Sequence, residues 1–356
     1  MNNHLKLASS LDDVPLPETL PPIVITAFAR PELLEEVLTA ISHQSLLPPK
    51  IIGFIDGARK SDDEPLIAQC ISLLEDFSAL VPVEIVARKN NLGCDQNVIL
   101  GFTEVLSSHD SLVYLEDDNL PNKNYYDRMC RLLEAYRECK QVCSISSYAN
   151  LPAGFDTQID TDFIVSNRVF SWGFATWFDR WQEIDLANQS GQYNPFGNFY
   201  RIPATSQTKM TMVNQFWLEK NKKTDWVITF TLAALYHQKV HIIPTTSFTY
   251  NTGFGHPQSE TYKGKEPNWV NSKYQADFRP NSLPSSLELP DQLKLALTDS
   301  DLVQHLLKQK ALWLNLSAFL YLLAKSSSLS SMVMLTKLFI ARLPLTLKRW
   351  RSGLPT

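Results

Sequence analysis

The sequence contains few of the residues that mark secreted or fibrous proteins. Only 5 of its 356 residues are cysteine and only 12 are glycine. Five cysteines are an odd number spread along a chain of this length, which excludes a disulfide framework. The glycines and the 21 prolines follow no fixed period, which excludes collagen-like, coiled-coil and low-complexity architectures. With 44% apolar and 20% charged residues, the composition favours one large globular domain or two modest ones.

Long apolar runs and a metal-binding cysteine cluster are also missing. No uncharged apolar run reaches the roughly 18 residues that a membrane span requires. The first residues show no basic segment followed by an apolar one, so we expect no secretory signal and a cytoplasmic location. Cys139 and Cys143 lie three residues apart, as zinc ligands can, but no further pair of ligands follows. We therefore interpret the two cysteines as buried thiols and not as zinc ligands.

Charge of both signs is present, but it is unevenly distributed. The 33 basic and 37 acidic residues give a net charge of −4, which argues against a nucleic-acid-binding protein. Residues 302–356 contain 8 Lys and Arg and no Asp or Glu, so the preceding chain is strongly acidic. Apolar residues recur at helical spacing within this basic segment. It is interpreted either as an amphipathic surface for an anionic membrane or as a helical cap on the rest of the chain.

Apolar runs and helical patterns alternate after the proline-rich start. The runs cover residues 23–28, 51–55, 83–86 and 112–115, and the helical patterns cover 31–41, 64–80 and 95–106. This alternation predicts an α/β fold with a mostly parallel sheet and helices on both faces. We further predict a flexible arm over 1–21, one domain over 22–290 divided near 147, and a basic helical tail over 291–356. Ligands of such sheets bind at the carboxyl ends of the strands.

Three consecutive acids follow the fourth apolar run. Glu116, Asp117 and Asp118 come directly after Leu112-Val113-Tyr114-Leu115. Like charges at the end of a buried strand repel one another unless something positive binds there. A divalent metal that carries a diphosphate meets this need, and hard oxygen ligands suit Mn²⁺ or Mg²⁺. A solvated acidic turn is the alternative.

Polar residues also follow the other three runs. They form the segments Thr26-Ala27-Phe28-Ala29-Arg30, Asp56-Gly57 and Arg88-Lys89-Asn90-Asn91-Leu92-Gly93. A carboxylate here can accept the imide N–H of a uracil ring, and cations and backbone amides can bind phosphate. Asp-Gly is also an ordinary turn dipeptide. Neither a dinucleotide-binding glycine motif nor a P-loop occurs, which disfavours a dehydrogenase and a P-loop NTPase.

The order of these segments resembles the GT-A class of nucleotide-sugar glycosyltransferases. The segments V-I-T-A-F-A-R, I-D-G, N-N-L-G-C and Y-L-E-D-D, with a later T-D-W, are most similar to the β-1,2-N-acetylglucosaminyltransferases that act on α-mannosyl glycoproteins. Bacterial family-two glycosyltransferases share the early segments. The resemblance runs from about Pro22 to Gln258. It implies an inverting enzyme that uses UDP-GlcNAc and Mn²⁺, with residues 22–147 as its nucleotide-sugar half and 148–290 as its acceptor half.

The resemblance also implies roles for individual residues. Asp118, as the last acid of E-D-D, would bind the metal, and Asp225 would be the general base. Asp225 also suits the N-cap of a helix, and the two roles are compatible. His256, near Phe254-Gly255, is a candidate for the metal or the diphosphate, or it is an ordinary loop histidine. The predicted donor-binding residues are Thr26, Ala27, Phe28, Arg30, Asp56, Arg88, Asn91, Gly93, Glu116, Asp117, Trp172 and Gly173.

Two details qualify this interpretation. Thr224 stands where the family has the first acid of D-D-W. Trp172 and Trp177 lie in the densest aromatic stretch, where rings can pack against a sugar or simply fill the core.

From these segments together we expect a metal-dependent glycosyltransferase with a glycan or lipid-linked acceptor, placed at the inner membrane face by its tail. A sugar nucleotidylyltransferase and a non-catalytic carbohydrate-binding protein are the alternatives.

Overall fold

A computed structural model gives the structure of the chain. The described residues are 8–151, 159–186, 226–259, 264–267, 270, 273–289 and eight single positions between 320 and 340. The structure gives the bounds of ten strands and six α-helices in these ranges. The strands are β1 Ile23–Ala27, β2 Ile51–Ile55, β3 Val83–Ala87, β4 Ser111–Glu116, β5 Asn119–Pro121, β6 Val142–Ser146, β7 Phe163–Ser166, β8 Phe174–Trp177, β9 Val240–Pro244 and β10 Thr249–Asn251. The helices are α1 Pro31–Ser42, α2 Glu64–Phe77, α3 Cys94–Leu106, α4 Tyr125–Ala135, α5 Phe178–Ile184 and α6 Trp226–Tyr236.

Eight strands form one mixed sheet in the order β3-β2-β1-β4-β8-β6-β9-β7. The pairs β3–β2, β2–β1, β1–β4 and β6–β9 are parallel, and the other three pairs are antiparallel. The predicted α/β fold with a mostly parallel sheet is therefore confirmed. Because β1, β2, β3 and β4 run the same way, their carboxyl ends meet at one edge of the sheet.

Helices cover both faces of this sheet, as the sequence predicts. On one face, Ile25 and Val113 belong to a core that also includes Leu34 of α1 and Leu74 of α2. On the other face, the ring of Phe102 in α3 packs edge-on against Tyr114 and parallel to Phe174. Successive side chains of a strand point to opposite faces, so strands that are apolar throughout can support helices on both sides.

The predicted flexible arm is wrong for the residues that the structure describes in it. Leu11 is fully buried in the core, and its backbone N–H donates to the carbonyl of Asn281 at 2.8 Å. Asp12 forms ion pairs with Arg128 and Arg279, each at an N–O distance of 2.7 to 2.9 Å. Apolar packing and paired charges thus hold a segment whose proline content suggested a loose chain.

The chain divides into two compact units. Residues 1–187 and 239–290 form the first, and residues 188–238 and 291–356 form the second. Residues 188–238 therefore interrupt the range that the sequence predicts as a single domain. Within the second unit, α6 carries the buried side chains of Trp226 and Phe230. No helix of the described residues is long and apolar enough to cross a membrane.

Candidate functional site

The acid cluster lies where β1 and β4 end side by side. Thr26 pairs with Glu116 in the parallel ladder, and the N–H of Asp117 donates to the carbonyl of Thr26 at 3.1 Å. The chain then turns at Ala29, whose φ of 48° is left-handed and therefore uncommon for a residue with a side chain. This turn lets the N–H of Phe28 donate to Asp117 Oδ2 at 3.1 Å.

Arg30 supplies positive charge to the cluster. Its Nε donates to Asp117 Oδ2 at 3.2 Å and its Nη2 to Asp117 Oδ1, which makes a two-point ion pair. Its Nη1 donates to Asp118 Oδ2 at 2.7 Å. The planar guanidinium matches this geometry, because its N–H groups form a rigid fork. One arginine therefore bridges two neighbouring carboxylates, both of them buried.

The other oxygen of Asp118 is held by amide side chains. Asn119 Nδ2 donates to Asp118 Oδ1 at 2.7 Å, and Asn251 Nδ2 donates to the same oxygen at 3.1 Å. The two asparagines face each other in the antiparallel pair of β5 and β10. A methyl group on Gly253 would collide with the Asp118 carboxylate, so only glycine fits there. The sequence reasoning missed these residues.

Burial controls the pKa values in the cluster. Burial and, to a smaller extent, the neighbouring Asp118 together raise the pKa of Glu116 to about 8, against the opposing charge of Arg30. Burial raises the pKa of Asp117 to about 6 against the opposing charge of Arg30. For Arg30 itself, burial lowers the pKa, but Asp117 and Asp118 outweigh burial and raise it. When all three carboxyl groups are ionised, the cluster has three negative charges and only the one positive charge of Arg30.

The residues present fit a divalent cation. Three carboxylates face one guanidinium, and in the described part of the chain no hydrogen-bond donor reaches the carboxylate of Glu116. Glu116 and Asp118 offer the hard oxygens that Mn²⁺ and Mg²⁺ prefer. No group of three or more metal-ligating side chains occurs among the described residues, so phosphate or water oxygens would have to complete the coordination sphere.

Asp56 organises the loop that precedes α3. Its carboxylate accepts hydrogen bonds from the N–H groups of Gly57, Leu92 and Gly93 and from Asn91 Nδ2, at 2.8 to 3.0 Å. A carboxylate offers about four acceptor positions. The predicted hydrogen bond from a uracil imide would therefore require one of these four donors to move.

Gly57 and Gly93 give this loop its shape. A methyl group on Gly57 would overlap the backbone of Asn90, at 2.4 Å from its carbonyl carbon. Gly93 has a φ of 79° and caps the N-terminus of α3. Asn91 also donates to the carbonyl of Gly57 at 2.8 Å. These contacts bring the ends of β2 and β3 together, as the sequence predicts for the two segments.

Arg88 does not join this loop. Its Nε donates to Asn97 Oδ1 at 3.3 Å, its Nη2 donates to Glu104 Oε2 at 3.1 Å, and its guanidinium lies 5.0 Å from the ring centre of Phe54. All three partners lie in α3 or inside β2. The predicted contact between Arg88 and a phosphate is therefore not supported, because α3 and Phe54 hold the side chain.

His256 pairs with α1 instead of with the acid cluster. Its Nε2 lies 2.6 Å from Glu32 Oε1, and its Nδ1 accepts the N–H of Gln258 at 3.1 Å. Gln258 Oε1 in turn accepts a hydrogen bond from Arg59 Nη2 at 3.0 Å. The guanidinium of Arg59 lies 4.4 Å from the ring centre of Phe28. Both ring nitrogens of His256 are engaged, so its predicted role as a metal ligand would need a rearrangement.

Trp172 and Gly173 connect to the cluster through residues 249–254. Trp172 packs against Tyr148, and its ring lies edge-on to Phe254 with centres 6.1 Å apart. Gly173 has a φ of 66°, and a methyl group there would collide with the hydroxyls of Ser147 and Thr249. The two residues thus support the loop that carries Gly253. Asp225, the predicted base, lies outside the described residues.

Comparison with known proteins gives only distant likeness. No family model matches the chain, and no curated protein matches it. The S. aureus protein TarS 1–349 is similar over 66% of this chain and 61% of its own length, at 11% identity and a TM-score of 0.40. Its complex with UDP-GlcNAc is similar over 72% of this chain and 62% of its own, at 9% identity and a TM-score of 0.37. The mannosyltransferase PcManGT from Pyrobaculum calidifontis, in complex with GDP-Man and Mn²⁺, is similar over 47% of this chain and 49% of its own, at 14% identity and a TM-score of 0.33.

The chain therefore spans less than two thirds of the length of each of these solved chains. Identities of 9 to 14% and TM-scores of 0.33 to 0.40 are too low to transfer a function from one protein to another. The residues of the site have to carry any functional conclusion.

Proposed function

We propose that this protein is a GT-A glycosyltransferase that moves a sugar from a UDP-sugar to a glycan or lipid-linked acceptor. One observation carries the proposal. Three acids and an arginine meet at the carboxyl ends of β1 and β4, beside the glycine-containing loop that Asp56 holds. Open α/β sheets bind their ligands at this edge, and a nucleoside diphosphate has the charge that such a mixed cluster recognises.

Each part of the cluster has a role in binding the donor. Asp118 and Glu116 would hold Mn²⁺ or Mg²⁺, and such a cation, when bound, stabilises negative charge on a leaving diphosphate. Arg30 would bind phosphate oxygens through its fork, while Phe28 offers a flat apolar surface next to it. The resemblance of the sequence favours GlcNAc as the transferred sugar.

The transfer itself would be a single displacement with inversion at the anomeric carbon. The acceptor hydroxyl attacks that carbon, the bond to the diphosphate breaks, and Asp225 takes the hydroxyl proton. In Asp225→Asn the side chain keeps its size but loses its basicity, so turnover should fall by roughly 10² to 10⁴ while donor affinity stays unchanged. Near-normal turnover of this variant would leave Asp225 as a helix cap.

The experiment that tests the function measures UDP release across a panel of UDP- and GDP-sugars with Mn²⁺. Release of UDP together with a new glycoside supports the proposal. Release of pyrophosphate with formation of a nucleotide sugar would identify a nucleotidylyltransferase instead. Glycan binding without any turnover, unaffected by Asp118→Ala, would identify a carbohydrate-binding protein on a transferase scaffold.

The basic tail would bring the enzyme to the inner face of a membrane. Leu329, Val333 and Ile340 have exposed fractions of 77%, 46% and 59%, so large apolar side chains of the tail are open to solvent. Such side chains lie within residues 302–356, which contain 8 cations and no acid, and they suit an anionic lipid surface. A lipid-linked acceptor would be found at the same surface.

A further inference from the structure

Both oxygens of the Asp118 carboxylate already have partners in the protein. Oδ1 accepts two amide hydrogen bonds, from Asn119 and Asn251, which fill its two lone pairs. Among the described residues, the donor to Oδ2 is Arg30 Nη1, at 2.7 Å. A divalent cation that used Oδ2 would therefore meet the positive guanidinium beside it, and the two charges would repel each other.

Of these partners, Arg30 is the one that can leave. Asn119 and Asn251 are buried and belong to the β5–β10 pair, and the N–H of Gly253 donates to Asn251 Oδ1 at 3.0 Å, which fixes the orientation of the amide. Arg30 instead holds Asp118 through the end of a long side chain, of which 15% is exposed. Its Nε and Nη2 bind Asp117 within the same rigid guanidinium, so a phosphate that draws Nη1 away from Asp118 must also compete with Asp117.

We propose that Arg30 blocks the metal-binding face of Asp118 until a nucleoside diphosphate draws the guanidinium away. The proposal rests on the function proposed above and adds an order to it, in which the metal binds tightly only together with the nucleotide. Arg30 is then a positioning residue that couples two ligands of the same site.

A diphosphate can compete for Arg30 for a simple reason. It carries more negative charge than one carboxylate, and its oxygens match the guanidinium fork equally well. Once Nη1 points at phosphate, Oδ2 of Asp118 is free to accept a cation, and the same phosphate adds oxygen ligands for it. In this way the nucleotide both opens the metal site and completes it.

The test is Mn²⁺ binding to the full-length protein, measured by titration calorimetry with and without UDP. The variant is Arg30→Gln, and the matched control is Lys50→Gln, which removes one positive charge at the opposite edge of the sheet, where Lys50 pairs with Glu84. A hydrogen bond between charged groups corresponds to about a ten- to hundredfold effect on binding. We expect Arg30→Gln to bind Mn²⁺ without UDP more tightly than the wild type by about this factor, and Lys50→Gln to match the wild type.

Arg30→Lys covers the case in which Arg30→Gln does not fold, because it keeps the charge that buried Asp117 needs. An ammonium lacks the planar fork that donates twice to Asp117 and once to Asp118, so this variant should hold Asp118 less firmly and should also bind Mn²⁺ more tightly without UDP. If Mn²⁺ affinity without UDP is equal in the wild type and the Arg30 variants, or rises equally in Lys50→Gln, the proposal for Arg30 is overturned while the metal site stands. If the wild type binds no Mn²⁺ even with UDP, the metal site of the proposed function fails, and this inference fails with it.

Discussion

Gly253 shows how much of the candidate site depends on one residue that has no side chain. Its Cα lies so close to Asp118 that a methyl group would overlap the carboxylate, and its N–H orients Asn251. Thr252 completes the contact by donating its backbone N–H to the carbonyl of Asp118 at 2.9 Å. Three consecutive residues, beginning with the last residue of β10, thus fix the acid that we assign to the metal.

The variant Gly253→Ala should disable this acid. To accommodate the methyl group, Asp118 or the loop must move, which costs about 1 to 3 kcal/mol of folding stability in a packed site. We expect Mn²⁺-dependent UDP binding to fall by at least about tenfold in calorimetry. Gly264→Ala is the matched control, since among the described residues, apart from its chain neighbours, no atom lies within 4 Å of the point that its methyl group would occupy. Equal UDP affinity in the two variants would contradict the role of Gly253.

The acids of the site could be predicted from the sequence, but their partners could not. Glu116, Asp117 and Asp118 follow an apolar run, and that local pattern is sufficient to place them at a strand end. Asn251 lies 133 residues after Asp118, and nothing local connects the two. The sequence assigns Arg30 to the nucleotide, although its observed partners are the acids themselves. Local periodicity does not show which of 33 basic residues pairs with a given carboxylate.

Among the elements, α3 carries an exposed cysteine whose reactivity can report nucleotide binding. Cys94 is its first residue, directly after Gly93, and it is the exposed cysteine of the five, all of which are described. The other four are buried, and burial raises the pKa of Cys70 to about 12. Thiolates are the nucleophiles that attack alkylating reagents, so exposed Cys94 should react while the buried thiols do not.

If UDP binds at this edge of the sheet, it should protect Cys94 from alkylation. We expect one adduct per chain by intact-protein mass spectrometry, and we expect it to form more slowly when UDP and Mn²⁺ are present. Cys94→Ser should give no adduct, which confirms the assignment. Alkylation at the same rate with and without saturating UDP would place the nucleotide elsewhere.

The short turn Leu11–Asp13 depends on charge as well as on packing. Hydrogen bonds from Arg279 and Arg128 lower the pKa of Asp12 to about 2. A carboxyl whose pKa is lower in the folded state contributes stability above its ordinary pKa of 3.8 and loses that contribution as the pH falls toward 2. The attachment of residues 8–21 should therefore weaken in acid.

The variant Asp12→Asn should melt at a lower temperature than the wild type at pH 7. The difference between their melting temperatures should shrink between about pH 4 and pH 2, because the unfolded wild type binds a proton at Asp12 near pH 3.8 while the folded protein does so only near pH 2. Asp13→Asn is the control, since Asp13 lies in the same turn with its side chain exposed. A difference that stays constant with pH would mean that the ion pairs of Asp12 add nothing.

Prediction succeeded for the first four strands and their helices because each is a local pattern. The run 51–55 and β2 agree at both ends, and the helical pattern 95–106 differs from α3 by one residue. The sheet order beyond β4 was not predicted, since β8, β6, β9 and β7 follow one another by long-range pairing. Residues 188–238 likewise group with residues 291–356, and no change in amino-acid composition predicts this grouping.

For the molecule as a whole, the basic tail makes membrane binding the property to test. Each cation near an anionic lipid surface contributes about 1 kcal/mol, and exposed apolar residues add to this. The full-length protein should sediment with anionic vesicles, less at high salt, and not with neutral vesicles. Replacing Leu329, Val333 and Ile340 by serine should reduce sedimentation, whereas Leu80→Ser, also at an exposed leucine, should not. Equal sedimentation of all these proteins, or none at any lipid charge, would assign the tail to a structural role.

The separation of Asp118 and Asn251 in the sequence also determines when the site can form during protein synthesis. Chains are made from the N-terminus at about 5 to 20 residues per second, so the 133 residues between these partners take about 7 to 27 s to add. During that interval β1 to β4 have all been synthesised, but β10 has not, and Asp118 lacks the amide that orients it. A ribosome-bound chain therefore carries every acid of the cluster before it can assemble the proposed nucleotide site, and the proposed donor binding would begin only after most of the protein has been made.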